Sequence, residues 1–346
     1  MSNQCPSPKL PHHHPHPGYH PQGHEWCADQ TLHVAVAYTN PNKYRSRRQL
    51  FNNFRQVMAR TPNIVLHVAE AAYGDLPFEV TNPEHCTDHQ FRTTSVLWLK
   101  ENLLNLAVQR FPKDWKYGAY IDGDVTFTRY DWALEAIHML QHYSWIQLFT
   151  QYSNLGPNNE VLNTTPSCVK RHLDNLGTPR NYTQGATGLA WGFTRESFNA
   201  AGGFLDRCIL GSGDWHMALG LIGEPDRTPE VTALTGEAKR YSEYIRVWQD
   251  RANRAFRQNI GVLENYAVHH FHGPKDLRHY GERRKILQAN DYNPYVDVFP
   301  DWQGLYQITP EKPRLRDGIR RYFAARSEDD LRTSIAAADK KPLKIL

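Results

Sequence analysis

No run of about 18 apolar residues occurs in this chain of 346 residues, so the length a helix needs to span a bilayer is missing. No Cys-x-x-Cys pair occurs either. The five cysteines, at positions 5, 27, 86, 168 and 208, are odd in number and scattered. That excludes a disulfide framework and a cysteine-based zinc site. The N-terminus lacks the charged-then-apolar pattern of a secretory signal, and a cytoplasmic protein is the expectation. No internal repeat is present. Charge of neither sign dominates, with 40 Lys and Arg against 36 Asp and Glu. The balance is uneven along the chain, however. Residues 239–326 hold 17 Lys and Arg against 10 Asp and Glu. This basic last third is either a solvated helical surface or a face for an anionic partner such as nucleic acid.

What is present suits a single α/β domain with insertions. Hydrophobic residues make up 40% and aromatics 12%, enough for a core and for a pocket that stacks flat ligands. Residues 1–30 read as a disordered tail, since six histidines and four prolines fall between Pro11 and His24. Residues 31–300 are expected to form the ordered domain, and residues 301–346 a basic C-terminal extension.

Periodicity places the elements. Residues 33–38 form an apolar run suited to a buried strand, and Asn40-Pro41-Asn42 turns the chain. Leu50, Phe51, Phe54, Val57 and Met58 follow at helical spacing, and residues 64–68 read as a second strand. From Ser95 a helix is expected to carry Val96, Leu99, Leu103 and Leu106 on one stripe. Residues 117–121 form a third strand running into Asp122, and Asp131 is placed to cap a helix bearing Leu134, Ile137 and Leu140. Residues 145–149 and 188–193 are further strands, and 239–257 a basic helix. Strands alternating with helices predict a mainly parallel, doubly wound sheet flanked by helices. Ligands bind such sheets beyond the C-terminal ends of the strands, where Asp122 lies.

Asp122-Gly123-Asp124 sets two carboxylates one residue apart, with a glycine that lets backbone approach a ligand. Carboxylate oxygens suit Mg²⁺ or Mn²⁺, and such a cation stabilises a leaving diphosphate as a Lewis acid. A solvated turn shares this spacing. So does the Asp-x-Asp-x-Thr signature of haloacid-dehalogenase-type phosphatases, matched by Asp122 to Thr126, whose first Asp is the nucleophile. That chemistry also needs a later Gly-Asp-x-x-x-Asp, and Gly213-Asp214 is followed by Ala218. A non-catalytic carbohydrate- or nucleic-acid-binding protein is the remaining alternative.

Further motifs follow in order. Residues 37–41 lead through Arg45 and Arg48, residues 98–105 hold Lys100, Asn102 and Asn105, and Asp122-Gly123-Asp124 ends a strand. Gly202-Gly203 and Asp206, then Gly211-Ser212-Gly213-Asp214, form a glycine-rich acidic stretch, and residues 268–273 carry His269, His270 and His272. Over residues 33–290 this order resembles the GT-A glycosyltransferases, in particular the galactosyltransferase-like branch and phage DNA-modifying glycosyltransferases.

The resemblance implies a GT-A (Rossmann-like) fold and hexosyl or pentosyl transfer from a nucleoside-diphosphate sugar, UDP foremost, with Mn²⁺ or Mg²⁺. Asp124 would be the main metal carboxylate, and Asp122 would face the metal, its water or the donor ribose. His272 would be a further metal ligand, with His270 its rival on the same strand face. Asp214 would be the general base that takes the acceptor's proton; a helix N-cap there is compatible with that role. Tyr38, Asn40 and Arg45 are expected at the nucleotide, with Arg45 or Arg48 near phosphate and Lys100 also on the donor. Lys275, Arg278, Arg283 and Arg284 are candidates for a diphosphate clamp. Trp215 and His216 interrupt the acidic run usual at that point, which leaves acceptor and stereochemistry open. A hydroxymethylated pyrimidine in phage DNA is the expected acceptor, which would place the protein in a host cytoplasm. A bacterial surface glycan is the alternative.

Overall fold

A computed structural model of the chain describes residues 30–176, 185–227 and 234–333. The expected tail, Gln30 excepted, and residues 334–346 lie outside that description. In chain order the elements are β1 (Leu32–Thr39), α1 (Arg45–Met58), β2 (Ile64–Tyr73), β3 (Asp88–Thr93) and α2 (Lys100–Val108). Next come β4 (Tyr117–Ile121), β5 (Val125–Phe127), α3 (Trp132–Leu140), β6 (Trp145–Gln147), β7 (Gln151–Leu155) and β8 (Val161–Pro166). They are followed by α4 (Cys168–Asp174), β9 (Ala190–Thr194), α5 (Arg195–Ala201), α6 (Gly213–Leu221) and α7 (Lys239–Phe256). The last are β10 (Ile260–Val262), β11 (Tyr266–His269), α8 (Arg283–Ala289), β12 (Val298–Pro300), β13 (Tyr306–Ile308) and α9 (Pro313–Ala325).

Seven strands form the main sheet in the order β10-β6-β9-β4-β1-β2-β3. Only β9 runs against its neighbours β4 and β6; the other recorded pairings are parallel. The mainly parallel sheet flanked by helices is therefore as expected. Its centre is apolar on both faces, as β1 shows: Leu32, Val34, Ala35 and Val36 are all fully buried. One face carries an aromatic cluster in which Phe193 packs against Trp115, Trp145, Phe198 and Phe204. A second sheet, β5-β11-β7-β8, stands beyond the C-terminal end of β4.

Three details depart from the expectations. Helix α2 starts at Lys100 rather than near Ser95, because residues 95–98 are held by other segments. The Trp98 N–H donates to Ile209 O at 3.0 Å, and Ser95 Oγ accepts from the Ile308 N–H at 3.3 Å. Asp131 occupies the N-cap of α3 but makes no side-chain cap bond; its carboxylate takes Arg129 at 2.7 and 3.0 Å instead. The boundary drawn at residue 300 has no counterpart either. Residues 301–333 belong to the same compact unit as those before them, and α9 buries Leu315, Ile319 and Tyr322 completely.

The parallel edge also aligns three imidazoles on one face. His33 Nδ1 lies 3.2 Å from His67 Nε2, and His67 Nδ1 lies 3.4 Å from His89 Nε2. Burial pushes His67 down to about 3, with His33 and His89 adding to the shift. Folded His67 is thus neutral where the unfolded chain would take up a proton. Its contribution to stability is complete above pH 6.5 and is lost as the pH falls toward about 3. Denaturant melts across that window should show stability falling with acid, and His67→Phe should flatten the slope; an unchanged slope would place the acid lability elsewhere. Phe193→Ala should cost about 3–5 kcal/mol in the same melts, as expected for an aromatic removed from a tight core.

Candidate active site

The site is built by strand pairing around the end of β4. After Ile121 the chain turns through Asp122, Gly123 and Asp124 into β5, which pairs antiparallel with β11. That register sets His269 opposite Val125, and the His270 N–H donates to Asp124 O at 2.9 Å. The backbone ladder thereby brings the histidine run to the carboxylate of Asp124.

Three groups converge there: Asp124, His269 and His272. Asp124 Oδ2 lies 3.1 Å from His272 Nε2, and Oδ1 lies 3.8 Å from His269 Nε2. The proton position on His269 follows from its other partner. Asn154 Nδ2 donates to Asn163 Oδ1 at 2.6 Å, so Asn154 Oδ1 is the atom that accepts His269 Nδ1–H at 2.8 Å. The lone pair of His269 Nε2 then faces Asp124. His272 Nε2 meets Arg278 Nη2 at 3.0 Å on one side and Asp124 Oδ2 at 3.1 Å on the other. Asp124 Oδ1 is buried and accepts no hydrogen bond from a described residue. Two imidazoles and an orphaned carboxylate oxygen within reach of one another suit a divalent cation. Burial alone would raise the Asp124 carboxyl; His272, His269 and Arg47 outweigh it and hold it well below the carboxylate range. Burial pushes His269 down to about 3 against the pull of Asp124, which keeps the imidazole neutral.

Asp122 and His270 are not in this group. Asp122 Oδ1 accepts from Lys100 Nζ at 2.5 Å, and burial pushes its carboxyl up to about 6 against the pull of Lys100. His270 Nε2 contacts Thr126 Oγ1 at 2.9 Å. The expected alternation of His270 with His272 fails because β11 ends at His269, so strand geometry no longer governs residue 272.

A cavity of about 540 Å³ opens onto these groups. Asn40, Lys100, Asp122, Asp124, Asp214, His272 and Lys275 all line it. Asp214 sits in the first turn of α6, past an N-cap formed by Ser212 rather than by Asp214 itself. Its Oδ1 accepts the Trp215 N–H at 2.8 Å, while Oδ2 points at Gly188, where a Cβ would lie 2.1 Å away. Tyr38 and Arg45 are placed differently from the expectation. Tyr38 is buried, its hydroxyl donating to Glu79 at 2.7 Å. Arg45 is exposed at the start of α1, and Arg47, not Arg45 or Arg48, turns into the cavity.

Four residues at the site were given no role from the sequence: Arg47, His269, Arg326 and Glu328. His269 adjoins the named histidines and was recoverable from the strand's end. Glu328 carried no signal, because it lies 56 positions beyond His272 in a segment read as an extension. Six Lys and Arg line the cavity (Arg47, Lys100, Lys275, Arg278, Arg283 and Arg326) against four carboxylates. The surplus suits an anionic ligand.

No protein-family profile matches the chain, and no curated protein is similar to it. Solved structures overlay weakly, three of them as follows. A candidate nucleotide-diphospho-sugar transferase from Desulfovibrio desulfuricans G20 is 14% identical with a TM-score of 0.31, over 70% of this chain and 82% of that one. Residues 1–349 of TarS from S. aureus are 11% identical with a TM-score of 0.35, over 87% of this chain and 89% of that one. The glycosyltransferase GlyE of Streptococcus pneumoniae TIGR4 is 13% identical with a TM-score of 0.27, over 85% of this chain and 60% of that one. Overlays this weak assign neither family nor activity to the chain.

The convergence of Asp124, His269 and His272 has a direct test. Mn²⁺ binding followed by EPR should be lost in Asp124→Asn, by more than about 100-fold, the upper end for changes beyond the ligands themselves. His269→Ala should weaken it as well. His270→Ala should leave it unchanged, and a loss there would move the site.

Proposed function

We propose that this chain is a metal-dependent glycosyltransferase of the GT-A type, taking its sugar from a nucleoside-diphosphate donor, UDP foremost. The observation that carries the reading is the meeting of Asp124, His269 and His272 at a strand end inside a cation-lined cavity. Mn²⁺ or Mg²⁺ held there would supply Lewis-acid stabilisation of the departing diphosphate. The remaining work falls to the chain's own groups. Lys275, Arg278, Arg326 and Arg47 bind and orient the two phosphates through charge-assisted hydrogen bonds. Lys100 holds Asp122 on the donor side, where its carboxylate suits the ribose hydroxyls. Asp214 accepts the proton of the acceptor hydroxyl at Oδ2, while its Oδ1 stays on the Trp215 N–H.

The rival phosphatase reading requires an Asp122 carboxylate ready to attack. Here that carboxylate is engaged by Lys100, and the position needed for a second acidic residue is Ala218, buried in α6. Only part of the basic last third is free to meet a duplex. Arg240, Arg246, Lys312 and Arg316 pair with Glu243, Asp226, Asp297 and Asp317, and Arg283 and Arg326 line the cavity, while Lys239, Arg254, Arg257, Arg314 and Arg320 are exposed. A duplex needs such cations on an open face. A hydroxyl on a surface glycan or its precursor is the acceptor we favour. Among the described residues no helix is long and apolar enough to cross a membrane.

Asp214→Asn should keep Mn²⁺-dependent binding of a UDP-sugar and abolish transfer, as read by mass measurement of glycan acceptors; full activity in that variant would remove Asp214 from the base role. Binding to duplex DNA should be weak and change little with salt, whereas a steep salt slope would restore the DNA acceptor.

A further inference from the structure

Phe323, Arg326 and Glu328 contribute to the cavity wall. After α9, residues 326–329 form a strap beside the site. The Ser327 N–H donates to Tyr44 Oη at 3.2 Å, and Ser46 Oγ donates to Glu328 O at 2.9 Å. Asp329 accepts the N–H groups of Arg45 and Ser46 at 3.0 and 2.8 Å, so it satisfies the first amides of α1. The strap is thus tied to α1 through backbone and side chains alike.

Glu328 itself is 4% exposed and points inward. Its Oε1 accepts from Arg326 Nε at 2.5 Å, and its Oε2 accepts from Arg47 Nη1 at 2.8 Å. Burial would raise this carboxyl, but Arg326, Arg47 and His272 hold it well below the usual range. It is an anion held in place. Oε2 also lies 3.5 Å from His272 Nδ1, a buried nitrogen with no hydrogen bond to any described residue. The opposite nitrogen, Nε2, faces Asp124, with Arg278 also beside it. A buried carboxylate facing Nδ1 favours the tautomer with the proton there, which leaves the lone pair at Nε2.

A glycine leaves room for this approach. Gly273 follows His272 with φ +86°, and a Cβ there would come within 2.8 Å of Glu328 Cα. A side chain at 273 would push the strap off the histidine.

We propose that Glu328 is the positioning residue of the metal centre: from the C-terminal strap it fixes the proton of His272 on Nδ1, so that Nε2 presents its lone pair beside Asp124. The inference rests on the metal-site reading above. Carboxylates behind a histidine ligand orient the ring and raise its basicity. Here the carboxylate comes from a segment remote in sequence, so metal binding and docking of the strap are linked. Metal affinity should then depend on residues that never touch the ion.

The test uses the full chain and Mn²⁺ alone, without nucleotide. EPR of the unbound ion should show that Glu328→Gln lowers Mn²⁺ affinity by about 10–100-fold. Pulsed EPR should show a weakened coupling from one of the two directly bound histidine nitrogens. In a His272→Ala background the same change should have no further effect, since Glu328 then has no ligand to act through. An equal loss in both backgrounds, or no loss in the parent, would overturn the proposal. A measurement on the unaltered protein stands beside these. ¹⁵N correlation spectra, with His272 assigned by its loss in His272→Gln, should show the Nδ1–H tautomer in the metal-free chain; the Nε2–H tautomer would overturn the proposal even if Glu328→Gln fails to fold. Failure of the metal site itself reads out separately, as Mn²⁺ affinity that survives Asp124→Asn.

Discussion

Asp124 Oδ2 and His272 Nε2 sit 3.1 Å apart beside the cavity, with His269 Nε2 3.8 Å from the other oxygen. Acceptor atoms that close repel unless a proton or a cation lies between them. Asn154 takes the proton of His269, and Glu328 faces Nδ1 of His272. What remains at the centre is a carboxylate beside two imidazoles. Much of the cavity is arranged around that group. Arg47, Arg278 and Arg326 surround it, and their placement suits a ligand that brings its own phosphates to a cation already bound.

The fold creates this centre with backbone hydrogen bonds. β4 ends where the main sheet ends, and β5 continues into a second sheet whose partner strand, β11, carries the histidines. Because β5 and β11 pair in a fixed register, the position of His269 relative to Asp124 is set by main-chain geometry. His272 lies beyond the strand and needs other support. Gly273 and Glu328 provide it: one allows the strap close, the other faces Nδ1. The same strap satisfies the N-terminus of α1 through Asp329, so the helix that carries Arg47 and the ring of His272 are fixed together.

Aromatic and cationic side chains share the other wall. Trp98 stacks on Phe323 at 6.3 Å, Arg326 lies over Trp98 at 5.3 Å, and Arg283 lies over Tyr280 at 5.0 Å. Guanidinium groups held against rings keep their charge while their orientation is restricted. Tyr44, Phe323 and Arg326 come from opposite ends of the chain, which is why residues 301–333 cannot be treated as an appendage.

Local pattern was enough to recover five of the seven strands of the main sheet, β3 and β10 excepted, the helices α1, α3 and α7, and the position of Asp122 and Asp124 at a strand end. Those features depend on neighbours within about four residues along the chain, where periodicity speaks directly. Periodicity misplaced the start of α2, where Trp98 is bonded to Ile209, and it paired His270 with His272 although the strand stops at His269. Which helix arginine enters the cavity was equally hidden, since α1 exposes Arg45 and Arg48 and turns Arg47 inward to meet Glu328. The sequence by itself determined that two carboxylates would stand at the mouth of a parallel sheet. Only the tertiary structure decided that Asp124 meets His269 and His272 while Asp122 meets Lys100. Those contacts join segments more than 140 positions apart for Asp124 and across two elements for Asp122, and strand register, not composition, brings them within reach.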